Sequence, residues 1–86
     1  MIVIENVKQS QLNALLTQLQ ESGQAQIKAN DPTSGSITAH HFLMPTINAS
    51  YWLGGNGELT VESNIFEDRI KAELSERLAA LQAQGV

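Results

Sequence analysis

Eighty-six residues with nine acidic and five basic side chains, a net charge of −4, describe one domain ill suited to nucleic acid, because neutralising phosphates takes clustered Lys and Arg. The absence of cysteine excludes a disulfide frame, a thiolate ligand and a thiol nucleophile. It favours a reducing, cytoplasmic interior, since small secreted domains usually compensate for a small core with disulfides.

The first residues, Met1-Ile-Val-Ile-Glu, lack a basic stretch and a long apolar run. They read as neither a signal peptide nor a membrane span. Ile2 to Ile4 instead suggests an edge strand or a tie-down of the N-terminus. Leu12, Leu15, Leu16 and Leu19 then recur at i, i+3, i+4 and i+7, the spacing of one helical stripe. Asn6 or Ser10 is the expected cap, and Gly23 the residue that ends the helix.

From Gln24 the period falls to two. Ala25, Ile27 and Ala29 alternate with Gln26, Lys28 and Asn30, as in a strand with one wet face. Asn30 to Gly35 reads as a turn around Pro32. Ser36 to Leu43 is the next expected strand, with Ile37, Ala39, His41 and Leu43 on one face and Thr38, His40 and Phe42 on the other. Met44-Pro45 interrupts it, because proline cannot donate to a ladder. Thr46 to Leu53 resumes, Ile47, Ala49, Tyr51 and Leu53 opposing Asn48, Ser50 and Trp52. Gly54-Gly-Asn-Gly57 is the strongest hairpin signal in the chain, and Glu58 to Ser63 the last strand.

Asn64 to Gln84 predicts the closing helix, on which Phe66, Ile70, Leu74, Leu78 and Leu81 form the apolar stripe. Asn64 is the expected N-cap, with Glu67 completing a capping box. Glu67 with Lys71 and Glu73 with Arg77 are acid-first pairs at i,i+4, and Gly85 suits the left-handed exit. The order β-α-β-β-β-β-α predicts a single α+β domain over residues 1–86. It is a two-layer sandwich, an antiparallel meander of four to five strands with both helices on one face.

Register decides what the other face carries. A symmetric loop through the glycines pairs Trp52 with Leu59. A three-residue loop with a glycine bulge keeps Tyr51 and Leu53 with Leu59 and Val61. The bulged loop is preferred, because a slip of one residue would turn the whole apolar set outward. The open face would then carry Phe42 and Trp52 among Thr38, His40, Asn48, Ser50, Thr60 and Glu62. Aromatic side chains on a wet face point to contacts, so His40, Phe42, Trp52 and Glu62 form the expected interaction face.

Catalytic chemistry finds little support. His40 and His41 are adjacent on a strand and point to opposite faces, so they cannot ligate one ion together. A site built from His40 and Glu62 has no spacing to specify it. The glycine loop leads into a strand, whereas a phosphate cradle opens a helix. No catalytic, cofactor or metal residue is assigned.

The run Asp68-Arg-Ile-Lys-Ala-Glu-Leu-Ser-Glu-Arg-Leu-Ala-Ala-Leu81, together with the element order, resembles the small bacterial polyhydroxyalkanoic-acid system proteins. The first helix here is Gln-rich where that family tends to be Arg-rich. The resemblance implies a cytoplasmic, non-enzymatic accessory protein near storage granules, and it transfers no site residues. The expected function is thus a bacterial interaction module, a homodimer working through its open sheet face, with no nucleic acid partner. The alternative is a carrier of small apolar ligands, with its pocket between helices and sheet near Tyr51 and Trp52.

Overall fold

The leucine stripes and the alternating segments assemble into the expected two layers in a computed structural model that describes residues 1–23, 25–39 and 46–86. The order is β1 (Ile2–Ile4), α1 (Gln9–Glu21), β2 (Gln26–Asp31), β3 (Ser34–Ala39), β4 (Ile47–Leu53), β5 (Leu59–Ser63) and α2 (Glu67–Ala83). The five strands form one antiparallel sheet ordered β1-β5-β4-β3-β2. β1 is therefore an edge strand, paired with the last strand of the meander, and α1 carries the chain across to the opposite edge, β2. No described helix is long and apolar enough to cross a membrane.

Both helices lie on one face of the sheet. Leu12, Leu15 and Leu19 of α1 and Leu74, Leu78 and Leu81 of α2 are buried with Ile2, Ala49, Tyr51, Leu59 and Val61. All five sheet residues share one parity, because Ile2 pairs with Val61, Val61 with Tyr51, and Leu53 with Leu59. Ile37 and Ile47, toward the other side of the sheet, are only half-buried.

The hairpin loop takes the bulged form. Gly54 N–H donates to Glu58 O at 2.9 Å, and Gly57 N–H donates to Gly54 O at 3.1 Å. Gly57 is left-handed at φ +87°, the conformation that glycine adopts at no steric cost. Leu53 thus opposes Leu59 and Trp52 opposes Thr60. The loop is also tied back to the chain start, where Val7 N–H donates to Gly57 O at 2.9 Å.

The helix ends differ from the sequence-based expectation. Neither Asn6 nor Ser10 caps α1. The N-cap is Lys8, whose backbone N–H donates to Gln11 Oε1 at 3.0 Å. Asn6 takes a left-handed φ of 61° and Ser10 lies inside the helix. Asn64 does not cap α2. Its side chain accepts from Asn48 N–H at 2.9 Å and donates to Thr46 O at 3.1 Å, so it extends the β4–β5 pairing instead. The cap position falls to Phe66, left-handed at φ 58° and exposed, because the chain must turn sharply from β5 onto the sheet. Phe66 accordingly leaves the buried stripe. Glu67 turns to the Met1 amino group at 2.8 Å rather than to Lys71, while Glu73 and Arg77 do pair, at 3.4 Å.

Gly23 and Gly85 close the two helices as expected, left-handed at φ 75° and 83°. At the second, Val86 N–H reaches Leu81 O and Gly85 N–H reaches Gln82 O, each at 3.1 Å, a Schellman closure. The turn between β2 and β3 is tighter than Asn30 to Gly35. β2 continues through Asp31, a bulge absorbs Asn30, and Asp31 pairs with Ser34 across Pro32-Thr33. Asp31 makes this compact turn work, its carboxylate accepting from Thr33 N–H at 2.8 Å and from Ser34 Oγ at 2.8 Å. The expected continuation of the third strand to Leu43 and its break at Met44-Pro45 lie outside the described residues.

Candidate interaction surface

The pairing registers lay the open face out as cross-strand rows. One row runs Val3, Thr60, Trp52, Ser34, with Asp31 beyond the bulge. The next runs Glu62, Ser50, Ser36, Lys28. The third runs Asn48, Thr38, Gln26. Residues in one row stand about 5 Å apart and point the same way. Trp52 and Glu62 are diagonal neighbours on this face. His40 and Phe42, also expected here, lie outside the described residues.

Trp52 is the anchor of the surface. Its side chain is 39% exposed on the face opposite both helices, and Val3 is 40% exposed in the same row. Thr60 stands between them and is only 8% exposed. An indole, a threonine methyl and a valine therefore form a short apolar strip on an otherwise hydroxyl- and amide-bearing face. Val3 is a residue the sequence does not flag, since Ile2-Val3-Ile4 is uniformly apolar and carries no alternation to show which side is wet.

The electrostatics of the face are set by three described ionisable groups. Asp31 is held below the ordinary carboxylate range, first by the Ser34 hydroxyl and then by Thr33 N–H, so this corner keeps its negative charge. Glu62 and Lys28 close the two ends of the second row, both exposed. On the covered side, burial pushes the Tyr51 phenol up, and the Asp31 charge adds to the effect. At the far end of the sheet, the amino terminus holds Glu67 below its usual range. Among the described residues no three His, Cys, Asp or Glu side chains are grouped to hold a metal ion.

A second feature lies on the covered side. A half-open cavity of about 100 Å³ is bounded by Leu19, Ile37, Ile47, Ile70 and Leu74, with Glu73 at its edge. It sits between the helices and the β3–β4 side of the sheet, away from Trp52 and not lined by Tyr51. It is not the pocket expected near Tyr51 and Trp52; Tyr51 itself is core, packed across Gly35. Around the cavity, Ile37 of β3 and Ile47 of β4 are only half-buried.

No family model, curated protein or solved structure matches this chain. Its surfaces are thus read from their own chemistry.

Proposed function

We propose that this chain is a non-catalytic accessory module that self-associates and docks protein through the open face of its sheet. The observation that carries the reading is Trp52, a large side chain exposed opposite both helices beside Val3 and Thr60. Tryptophan is the side chain most enriched at binding hot spots, because it buries a large area with few torsions to freeze. An antiparallel sheet can stay wet on one face without any aromatic there, so the indole calls for a use. The polar rows around it suit the rim of an interface. The layout resemblance to polyhydroxyalkanoic-acid system proteins fits the same reading, that of a bacterial, cytoplasmic helper without a cofactor.

Light scattering over a concentration series tests it. The wild type is expected to move from monomer to dimer mass as concentration rises. Trp52→Ala is expected to stay monomeric with its thermal midpoint changed by no more than a few degrees, because the indole is not part of the core. Equal masses for the two proteins at every concentration would remove the open face as the docking surface.

The cavity favours a second reading, a site for a short aliphatic or ring group. Its volume of about 100 Å³ is somewhat below the ~150 Å³ apolar cavity known to take benzene. Under this reading, 1-hexanol or benzene at millimolar concentration raises the thermal midpoint saturably, as ligand linkage requires. Ala49→Leu, which fills the cavity wall, loses that rise. A linear or absent response in the wild type would dispose of the site.

A further inference from the structure

Resting on the open-face reading, we infer that the partner seated there is a second copy of this chain, in one register. The two sheets pack face to face about a two-fold axis that runs along the strands between β3 and β4. One row of the open face complements itself under this operation. Its order is Glu62, Ser50, Ser36, Lys28, on β5, β4, β3 and β2. It has an acid at one end, a base at the other and two small hydroxyls between. Rotation about an axis midway between β4 and β3 exchanges β5 with β2 and β4 with β3. It therefore sets Glu62 over the partner's Lys28, Ser50 over the partner's Ser36, and repeats both contacts by symmetry.

The other rows agree with this operation. Trp52 on β4 comes over the partner's Ser34 on β3, so each indole meets a small side chain rather than a second indole. Asn48 comes over the partner's Thr38, a pair able to exchange a hydrogen bond. Aligned sheets cross at about −30°, which displaces the row ends by a few ångström, within reach of a lysine stem. The charges themselves call for such a partner. Neither Lys28 nor Glu62 makes an ion pair among the described residues. Three strand spacings of ~4.8 Å keep them roughly 14 Å apart within one molecule. Four strands present a face of roughly 20 by 20 Å, about 800 Å² over both partners, which is below the size of stable interfaces and suits a weak, transient association. The dimer is accordingly a concentration-dependent one.

Charge reversal tests the register, read by sedimentation velocity over a concentration series. Both side chains are exposed, and circular dichroism verifies that each variant is folded. Lys28→Glu and Glu62→Lys are each expected to weaken dimerisation at least tenfold, since each sets like charges face to face at two places. The double reversal K28E/E62K is expected to return to within about threefold of wild type. Zero-length carbodiimide coupling of the wild type adds an independent readout. A Lys28–Glu62 cross-link mapped in the dimer band is expected, and their separation within one chain forbids an intramolecular origin. A dimer lost on Trp52→Ala, but with a double reversal no better than either single one and no such cross-link, overturns the register while leaving the open face intact. A wild type that dimerises regardless of Trp52, or not at all, removes the open face and this register together.

Discussion

Gly35→Ala is expected to cost about 3 kcal/mol, the upper end for overpacked sites. Gly35 is buried on β3, opposite Tyr51 of β4 on one side and Ala29 of the edge strand β2 on the other. A β-carbon there would lie 2.5 Å from Lys28 O, 2.7 Å from the Tyr51 hydroxyl and 2.8 Å from Ala29 Cα. Two of these three obstacles are backbone of β2 and cannot rotate away. Relief requires the edge strand to move off β3 or Tyr51 to leave the core. Domains hold only about 0.05–0.15 kcal/mol per residue, so a loss of this size removes a large share of an 86-residue chain's stability. Urea unfolding followed by circular dichroism measures it. Tyr51→Phe added to Gly35→Ala removes only the hydroxyl obstacle and is expected to recover a minor part. A loss under about 1 kcal/mol for the single variant would contradict the close approach of Tyr51 and β2 at this glycine.

Leu59→Ala is expected to cost about 4 kcal/mol, within the range for truncating a large buried aliphatic side chain. Leu59 is 1% exposed and stands between Ile4 of β1 and Leu53 of β4 in one cross-strand row beneath the helices. Its loss leaves a hole bounded by two strands that are pinned by their ladders, so the site cannot collapse to fill it. Chemical denaturation is expected to show a lower midpoint with an unchanged slope. Trp52→Ala supplies the contrast. It removes a larger side chain from the same β4–β5 pair, but from the open face, and is expected to alter association far more than stability. If the two variants were equally destabilised, the indole would be acting as core, and the distinction between covered and open faces would fail.

These two substitutions mark how much of the fold and of the surface was legible beforehand. The leucine stripes at helical spacing and the alternation along β4 and β5 carried the layers, the element types and the parity of Trp52. Each depends on neighbours within a few residues. Gly57 signalled the bulged loop because few other residues accept its backbone. Caps were harder to read, because a cap depends on where the preceding strand releases the chain. Asn64 has the right side chain for an N-cap but is held by Asn48 and Thr46. The turn at Pro32 is shorter than its residue types suggest because Asp31 folds its carboxylate over Thr33 and Ser34, a local bond that competes with looser turns.

By itself, the sequence determined the α+β class, the helix-facing leucines and the outward parity of the tryptophan, since periodicity is a property of the chain alone. Tertiary structure decided the rest. Pairing β1 with β5 put Val3 in the row of Trp52, with Thr60 between them, and the lateral order of the strands placed Lys28 and Glu62 at opposite ends of one row. Packing of the helices on the sheet brought Leu19, Ile37, Ile47 and Ile70 around one cavity. Such neighbours are separated by tens of residues along the chain. What brings them together is the geometry of closing the sheet, which no local pattern of residues encodes.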